Sequence, residues 1–158
     1  RREKLPEPFD LILAILMFTG ARISEVLNAS YAERGWMIVE ERDGFLPKNK
    51  ASRREVPMPP ELTSLVHGRD FSSISTDAFR VRYQKIRGDL AITAHSFRHG
   101  LKTAARVAAA EELTVERLLG HSAGSKMSMT YGVYPRELLL REAQKVWLVL
   151  RRWTRDLN

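Results

Sequence analysis

Two stretches of apolar residues at helical spacing constrain this chain more than any other feature. From Phe9 onward Leu11, Ile12, Ile15, Leu16, Ile23, Val26 and Leu27 recur every three to four positions. From Arg136 onward Leu139, Leu140, Ala143, Val146, Trp147, Leu150 and Trp153 do the same. A stripe of this period must bury one face of a helix against something else. The spacing predicts a helix from Phe9 to about Phe18, a turn at Thr19-Gly20, a second helix to about Asn28, and a long helix from about Arg136. Gly20 marks the break between the first two.

Between these ends the texture changes. Trp36-Met37-Ile38-Val39 is a β-prone run, and Asp43-Gly44 is a hairpin turn signal. Phe45-Leu46 follows, then a polar basic tip, Lys48-Asn49-Lys50-Ala51-Ser52, then Arg53-Arg54-Glu55-Val56 and a stop at Pro57. This pattern predicts a small three-stranded antiparallel sheet with a basic turn before its last strand. Short helices are expected at 61–66, 77–87, 95–110 and 115–119, with Ser75, Thr76 or Asp77, Thr93 and Thr114 as N-caps and Gly120 as the last stop. The expected fold class is mainly α with that small sheet.

A chain of 158 residues is long enough for one domain with a proper core. Residues 1–8, charged and with two prolines, read as a linker, with the domain at 9–158. The 26 Lys and Arg against 19 Asp and Glu give a net charge of +7, which favours polyanionic partners, DNA or RNA first. Without cysteine there are no disulfides, thiolate metal sites or cysteine nucleophile. The longest apolar run, Leu11 to Phe18, is too short to span a membrane.

Four separated clusters carry chemistry. Arg22 and Glu25, in Thr19-Gly20-Ala21-Arg22-Ile23-Ser24-Glu25, can share a helix face, which alone reads as an ordinary ion pair. Lys48 sits on the basic hairpin tip. His95 and Arg98, in His95-Ser96-Phe97-Arg98-His99, lie near an expected helix N-terminus, where backbone N–H groups favour anions. Leu118-Leu119-Gly120-His121 precedes two tyrosines, Tyr131 and Tyr134. The remaining basic residues Arg53, Arg54, Arg80, Arg82, Lys85, Arg87 and Lys102 are candidates to grip a DNA backbone, most of them being ordinary solvated surface.

In order, T-G-x-R-x-x-E, a hairpin lysine before S-x-R-x-V-P, H-x-x-R-H, L-G-H and a tyrosine resemble the tyrosine recombinases, the phage-integrase family, from about residue 9 to residue 135. The resemblance implies the catalytic-domain fold of DNA breaking-rejoining enzymes for 9–158, and makes 1–8 the linker from an N-terminal DNA-binding domain. It also implies a site-specific recombinase or integrase that acts through a 3′-phosphotyrosyl intermediate without metal, cofactor or ATP. By that resemblance Arg22 and Arg98 hold the phosphate and Glu25 supports Arg22. Lys48, better offset than Lys50 from Ser52, Arg54 and Val56, is the general acid for the leaving oxygen. His95 handles the tyrosine proton, and His121 donates a hydrogen bond to a phosphate oxygen. The nucleophile is Tyr134 by the local pattern Met129-Thr130-Tyr131-Gly132-Val133-Tyr134. The family's usual gap instead favours Tyr131, ten positions after His121 rather than thirteen.

The partners implied are double-stranded DNA and further copies of the chain, as a tetramer on DNA. The apolar face around Leu140, Val146, Trp147, Leu150 and Trp153, within 136–158, serves either those contacts or packing on its own domain. A cytoplasmic, nucleoid-associated protein of a bacterium or phage is implied. Type IB topoisomerases share the chemistry, but the closely spaced second and third boxes point to the recombinase side. A non-catalytic DNA-binding remnant of an integrase is the reading from another class.

Overall fold

The structure is a computed structural model and describes residues 7–121 and 134–155. Among these residues it has seven helices and one two-stranded antiparallel sheet. The helices are α1 (Phe9–Thr19), α2 (Ile23–Asn28), α3 (Pro60–Val66), α4 (Thr76–Arg87), α5 (Ala94–Val107), α6 (Glu112–Leu119) and α7 (Arg136–Arg155). The strands are β1 (Trp36–Val39) and β2 (Arg54–Pro57), with Trp36 opposite Pro57 and Val39 opposite Arg54. No described helix is long and apolar enough to cross a membrane.

The apolar stripes do what their period requires. Leu11, Ile12, Ile15 and Leu16 of α1 are buried with Val26, Leu27, Met37, Val39, Val56, Leu62, Val66 and Phe79 in one cluster. Leu139, Ala143, Val146, Trp147 and Leu150 of α7 are buried with Leu101, Ala104, Val115, Leu118 and Leu119 in a second. Phe18 packs against both clusters, and its carbonyl accepts a hydrogen bond from the Trp147 indole at 3.0 Å. The face of α7 offered for contacts between copies is therefore largely used within the chain. Val146, Trp147 and Leu150 are buried there, while Leu140 and Trp153 stay partly exposed.

Two sequence expectations need correcting. The sheet has two strands, not three, because Phe45-Leu46 forms no strand. Phe45 closes only a turn around Asp43-Gly44, bridged to Arg42, and Pro47 then removes the N–H a ladder would need. A single 3₁₀ turn, Lys50–Ser52, capped by the Asn49 side chain, leads into β2. The cap of α6 is Glu111, not Thr114. Its carboxylate accepts the Thr114 N–H at 2.8 Å, so the helix starts at Glu112. The other boundaries follow local chemistry: Ser75 caps α4 through the Ala78 N–H, Thr93 precedes α5, and Gly20 and Gly120 end α1 and α6 in the left-handed region.

Candidate active site

Three helix ends converge where the two cores meet. The chain leaves α1 through Gly20, at φ 61°, and re-enters a helix after Arg22, the N-cap of α2. Glu25, in the first turn of α2, reaches back to accept the Arg22 backbone N–H at 2.9 Å and an Arg22 guanidinium N–H at 2.8 Å. The i,i+3 pair expected from sequence is thus present. It is not a surface pair, because Glu25 is buried.

The residue that sequence reasoning misplaced is Arg54. Its charge places it among the candidates for DNA-backbone contact, but its side chain is only 1% exposed. It donates to Glu25 Oε2 at 2.9 Å and Oε1 at 3.2 Å, to the Ser52 carbonyl at 2.8 Å and to the Leu118 carbonyl at 2.7 Å. Strand alternation carried the signal: Arg54 and Val56 share a face of β2, and Val56 is core. Burial pushes the Glu25 carboxyl up, but hydrogen bonds and charge from Arg54, then the bonds from Arg22, outweigh it and hold the carboxyl below its ordinary range. Glu25 is therefore an anion wedged between two arginines.

Arg98, on α5, is buried as well. It donates to the carbonyl of Gly20, the C-cap of α1, at 2.9 Å and to that of Leu119, the last residue of α6. Helix C-termini carry partial negative charge, so a guanidinium suits that position. Two of its five N–H donors are accounted for there. Burial, then repulsion from Arg22 and Arg54, lowers its pKa to about 10, which still leaves it charged at neutral pH.

His95 lies one turn before Arg98 on α5, exposed, its ring edge-on to His99 at 4.7 Å between centroids. Burial first, then the positive charges of His99, Arg98, Arg22 and His121, pushes its pKa down. His121 follows the Gly120 turn and pairs through Nδ1 with Glu116, whose other oxygen accepts from Lys102 at 2.8 Å. The fold thus brings Arg22, Arg98, His95 and His121 into one electrostatic neighbourhood from three separate boxes of sequence.

Nothing in comparisons with family models, curated proteins and solved structures matches this chain.

Among the described residues no hydrogen bond or ion pair joins Lys48 or Tyr134 to this cluster. Lys48 is exposed on the segment between β1 and β2, and among the described residues no ion pair holds it. The root of its segment does touch the site: Ser52 is buried, and its hydroxyl is 3.5 Å from Arg22 Nη1. The Tyr134 ring is half-buried against the second core cluster, with the Arg117 guanidinium 6.0 Å from its centroid. Tyr131 lies outside the described residues. The two other tyrosines are structural. Tyr31 is buried with its hydroxyl donated to the Val26 carbonyl at 2.7 Å, and Tyr83 stacks on Phe79 and meets Phe97 at a tilt. Among the remaining candidates for DNA contact, Arg53 pairs with Glu41, Arg80 with Asp77 and Lys102 with Glu116. Among the described residues, no three His, Asp or Glu side chains gather as a metal site would require.

Proposed function

We propose that this chain is the catalytic domain of a tyrosine recombinase, with the catalytic-domain fold of that family, and that it cuts and rejoins DNA. One observation carries the reading. Arg22 and Arg98, far apart in sequence, are drawn together by the Gly20 turn with two histidines beside them; the buried carboxylate of Glu25 positions Arg22, and the Gly20 and Leu119 carbonyls position Arg98. A phosphodiester fits such a place. Two guanidinium groups offer planar forks of donors to its non-bridging oxygens and bind better still as charge builds up on them.

In the proposed reaction a tyrosine oxygen attacks phosphorus and its proton passes to a base. The phosphorus–oxygen bond to the 5′-oxygen breaks, and Lys48 protonates that oxygen as it leaves. The strand is held as a 3′-phosphotyrosyl ester until a 5′-hydroxyl attacks and reverses each step. Lys48 is exposed on a segment rooted at Arg22, which lets it swing to the leaving oxygen.

The local sequence pattern favours Tyr134 as nucleophile. The half-buried ring of Tyr134 favours a second reading, in which Tyr134 anchors the start of α7 and Tyr131 attacks. The test is adduct formation with a pool of nicked duplexes of randomised sequence, resolved on a denaturing gel. The wild-type chain is expected to form a covalent protein–DNA adduct. Either Tyr134→Phe or Tyr131→Phe should abolish it, and the other should retain it. An adduct that survives both substitutions, or none from the wild type, would refute the mechanism. Relaxation of supercoiled DNA by the chain without strand exchange would favour the topoisomerase alternative.

A further inference from the structure

Glu116 is assigned no role by the resemblance, yet it holds one side of the His121 ring. Gly120, left-handed at φ 67°, folds the chain back so that the His121 backbone N–H donates to the Glu116 carbonyl at 3.0 Å. The same reversal brings His121 Nδ1 onto Glu116 Oε2, while Lys102, from α5, grips Oε1 at 2.8 Å. Two residues before His121, the Leu119 carbonyl accepts a hydrogen bond from Arg98. The ring thus stands beside one of the two arginines proposed to hold a phosphate, and the charge of Arg98 acts on it. The Glu116 and His121 side chains are 28% and 31% exposed, so the open side of the ring can meet a ligand.

The chemistry of that pair limits what the ring can do. Burial pushes the Glu116 carboxyl up, but hydrogen bonds from Lys102 and His121 and their charges outweigh it and keep the group ionised. An ionised carboxylate only accepts hydrogen bonds, so the hydrogen between the partners sits on Nδ1. A neutral ring then carries a lone pair on Nε2. A phosphate oxygen also only accepts, and two lone pairs facing each other repel. With Glu116 on one nitrogen, His121 can donate to an oxyanion only with hydrogens on both, as an imidazolium.

We propose that Glu116 is a positioning residue that makes His121 a charged donor. As an oxyanion binds at Arg22 and Arg98, the ring takes up one proton from solvent, donates through Nε2–H to the oxyanion and leaves Nδ1–H on Glu116. This rests on the strand-transfer reading above. To the donor role that the resemblance implies for His121 it adds a charge state and the residue that imposes it. Without an anion, burial together with Arg98 and Lys102 on α5 outweighs the Glu116 bond and keeps the ring neutral. His95, at the start of α5, also couples to it. An oxyanion at Nε2 places a second negative charge on the ring and offsets Arg98, which favours the imidazolium. The proton stays on the ring while charge builds up on the non-bridging oxygens, so it strengthens the hold when most is needed.

Two measurements on the whole chain test this. The first uses sulfate, a dianion that does not titrate near neutral pH. Long-range proton–nitrogen NMR of the imidazole rings, with His121 assigned by the signals that vanish in His121→Gln, reads tautomer and pKa. Without sulfate the neutral ring should be the Nδ1–H form, and saturating sulfate should raise the His121 pKa by about one pH unit or more. In Glu116→Gln the amide can donate to Nδ1, so a neutral Nε2–H ring can meet sulfate, and the rise should be less than half as large. Arg22→Gln should abolish the effect of sulfate. The second arm is adduct formation with the nicked duplex pool. His121→Trp carries a neutral indole N–H, so the ratio of wild-type to His121→Trp rates should fall about tenfold per pH unit once His121 in the complex loses its proton. Glu116→Gln should flatten that fall. Sulfate that binds and leaves His121 neutral, or a ratio that stays flat with pH, overturns the charged-donor role alone. Sulfate that does not bind, or binds equally in Arg22→Gln, overturns the phosphate site and the donor role together. Proton uptake with sulfate in a chain that forms no adduct overturns the strand-transfer reading instead.

Discussion

Replacing Arg54 by methionine should damage the fold more than any exposed substitution, and the structure gives the size. Arg54 and Glu25 have side chains 1% and 2% exposed, and Arg54 makes four hydrogen bonds. Removing one partner of a buried ion pair costs about 3–5 kcal/mol, since the other charge stays buried. Arg22 remains on Glu25 at 2.8 Å and offsets part of that loss. Against this, the Ser52 and Leu118 carbonyls lose a charged donor, about 1 kcal/mol each. The net expectation is a loss of about 3–4 kcal/mol. With a urea slope of about 2 kcal/mol per molar, the unfolding midpoint should fall by about 1.5–2 M. The loss should also depend on pH. In Arg54→Met the Glu25 carboxyl is no longer held down by Arg54, so its folded pKa rises. Protonation then relieves the stranded charge, and the gap between wild type and variant should be widest above the carboxyl's ordinary pKa of 4.5 and narrow below it. In the double variant Arg54→Met, Glu25→Met, the two losses should fall short of additivity by about 1–3 kcal/mol. A single-variant loss under about 1 kcal/mol, or strict additivity, would refute the claim that Arg54 and Glu25 form one buried unit.

Gly120→Ala should cost about 2–4 kcal/mol by chemical denaturation. Its φ is 67°, and a Cβ there would lie 2.6 Å from Arg54 Nη1, an atom pinned by its own hydrogen bonds. Gly20→Ala should cost less, about 1–2 kcal/mol, because the nearest atom at 2.8 Å is a Leu119 methyl carbon that can rotate away. Glu142, buried on α7, accepts from Lys145, the Glu111 backbone N–H and Arg141, and the Lys145 bond leads in lowering its pKa to about 2. A depressed carboxyl stabilises above its unfolded pKa, so the wild-type advantage over Glu142→Gln should be constant above about pH 5 and vanish as pH falls toward 2. Urea midpoints measured across that range check it.

How much was legible in the sequence differs from element to element. The stripes of α1 and α7 announced themselves because one face of each is uniformly apolar and the core needs nothing else from them. The third strand was not legible as absent. Phe45-Leu46 has strand composition, and its fate was decided by Pro47 and by the short bridge from Arg42. Arg54 was misread because its charge outweighed its position. Its alternation with Val56 already pointed it inward, but only the fold supplied Glu25 to receive it. The pairing of Glu116 with His121 was illegible. Five positions apart, the two meet only because Gly120 reverses the chain and Lys102 arrives from another helix. Sequence marked Arg22, Arg98 and the two histidines as chemistry. It marked Glu25 too, but left out Glu116 and the Gly20 and Leu119 carbonyls that hold His121 and Arg98 in place.

Those supports leave an imbalance that can be measured. Around the site the four cations Arg22, Arg54, Arg98 and Lys102 face two carboxylates, Glu25 and Glu116. His95 and His121, both shifted down, add no charge at neutral pH. Arg54 is saturated by buried acceptors, so the excess falls on Arg22 and Arg98, the pair proposed to hold a phosphate. A bound oxyanion should relieve their mutual repulsion, and binding to the folded state alone must raise stability. Inorganic phosphate at ten times its dissociation constant should add about 1.4 kcal/mol. For a domain of this size that is a rise of about 3–5 °C in melting temperature. Sodium chloride at matched ionic strength should give much less, because screening acts on all surface charges without filling the site. Arg22→Gln should abolish the phosphate-specific part while leaving the response to chloride intact. An equal response to both salts, or an undiminished phosphate effect in Arg22→Gln, would mean that the excess charge is spread over the surface. The two arginines would then be parts of the scaffold, like Arg54.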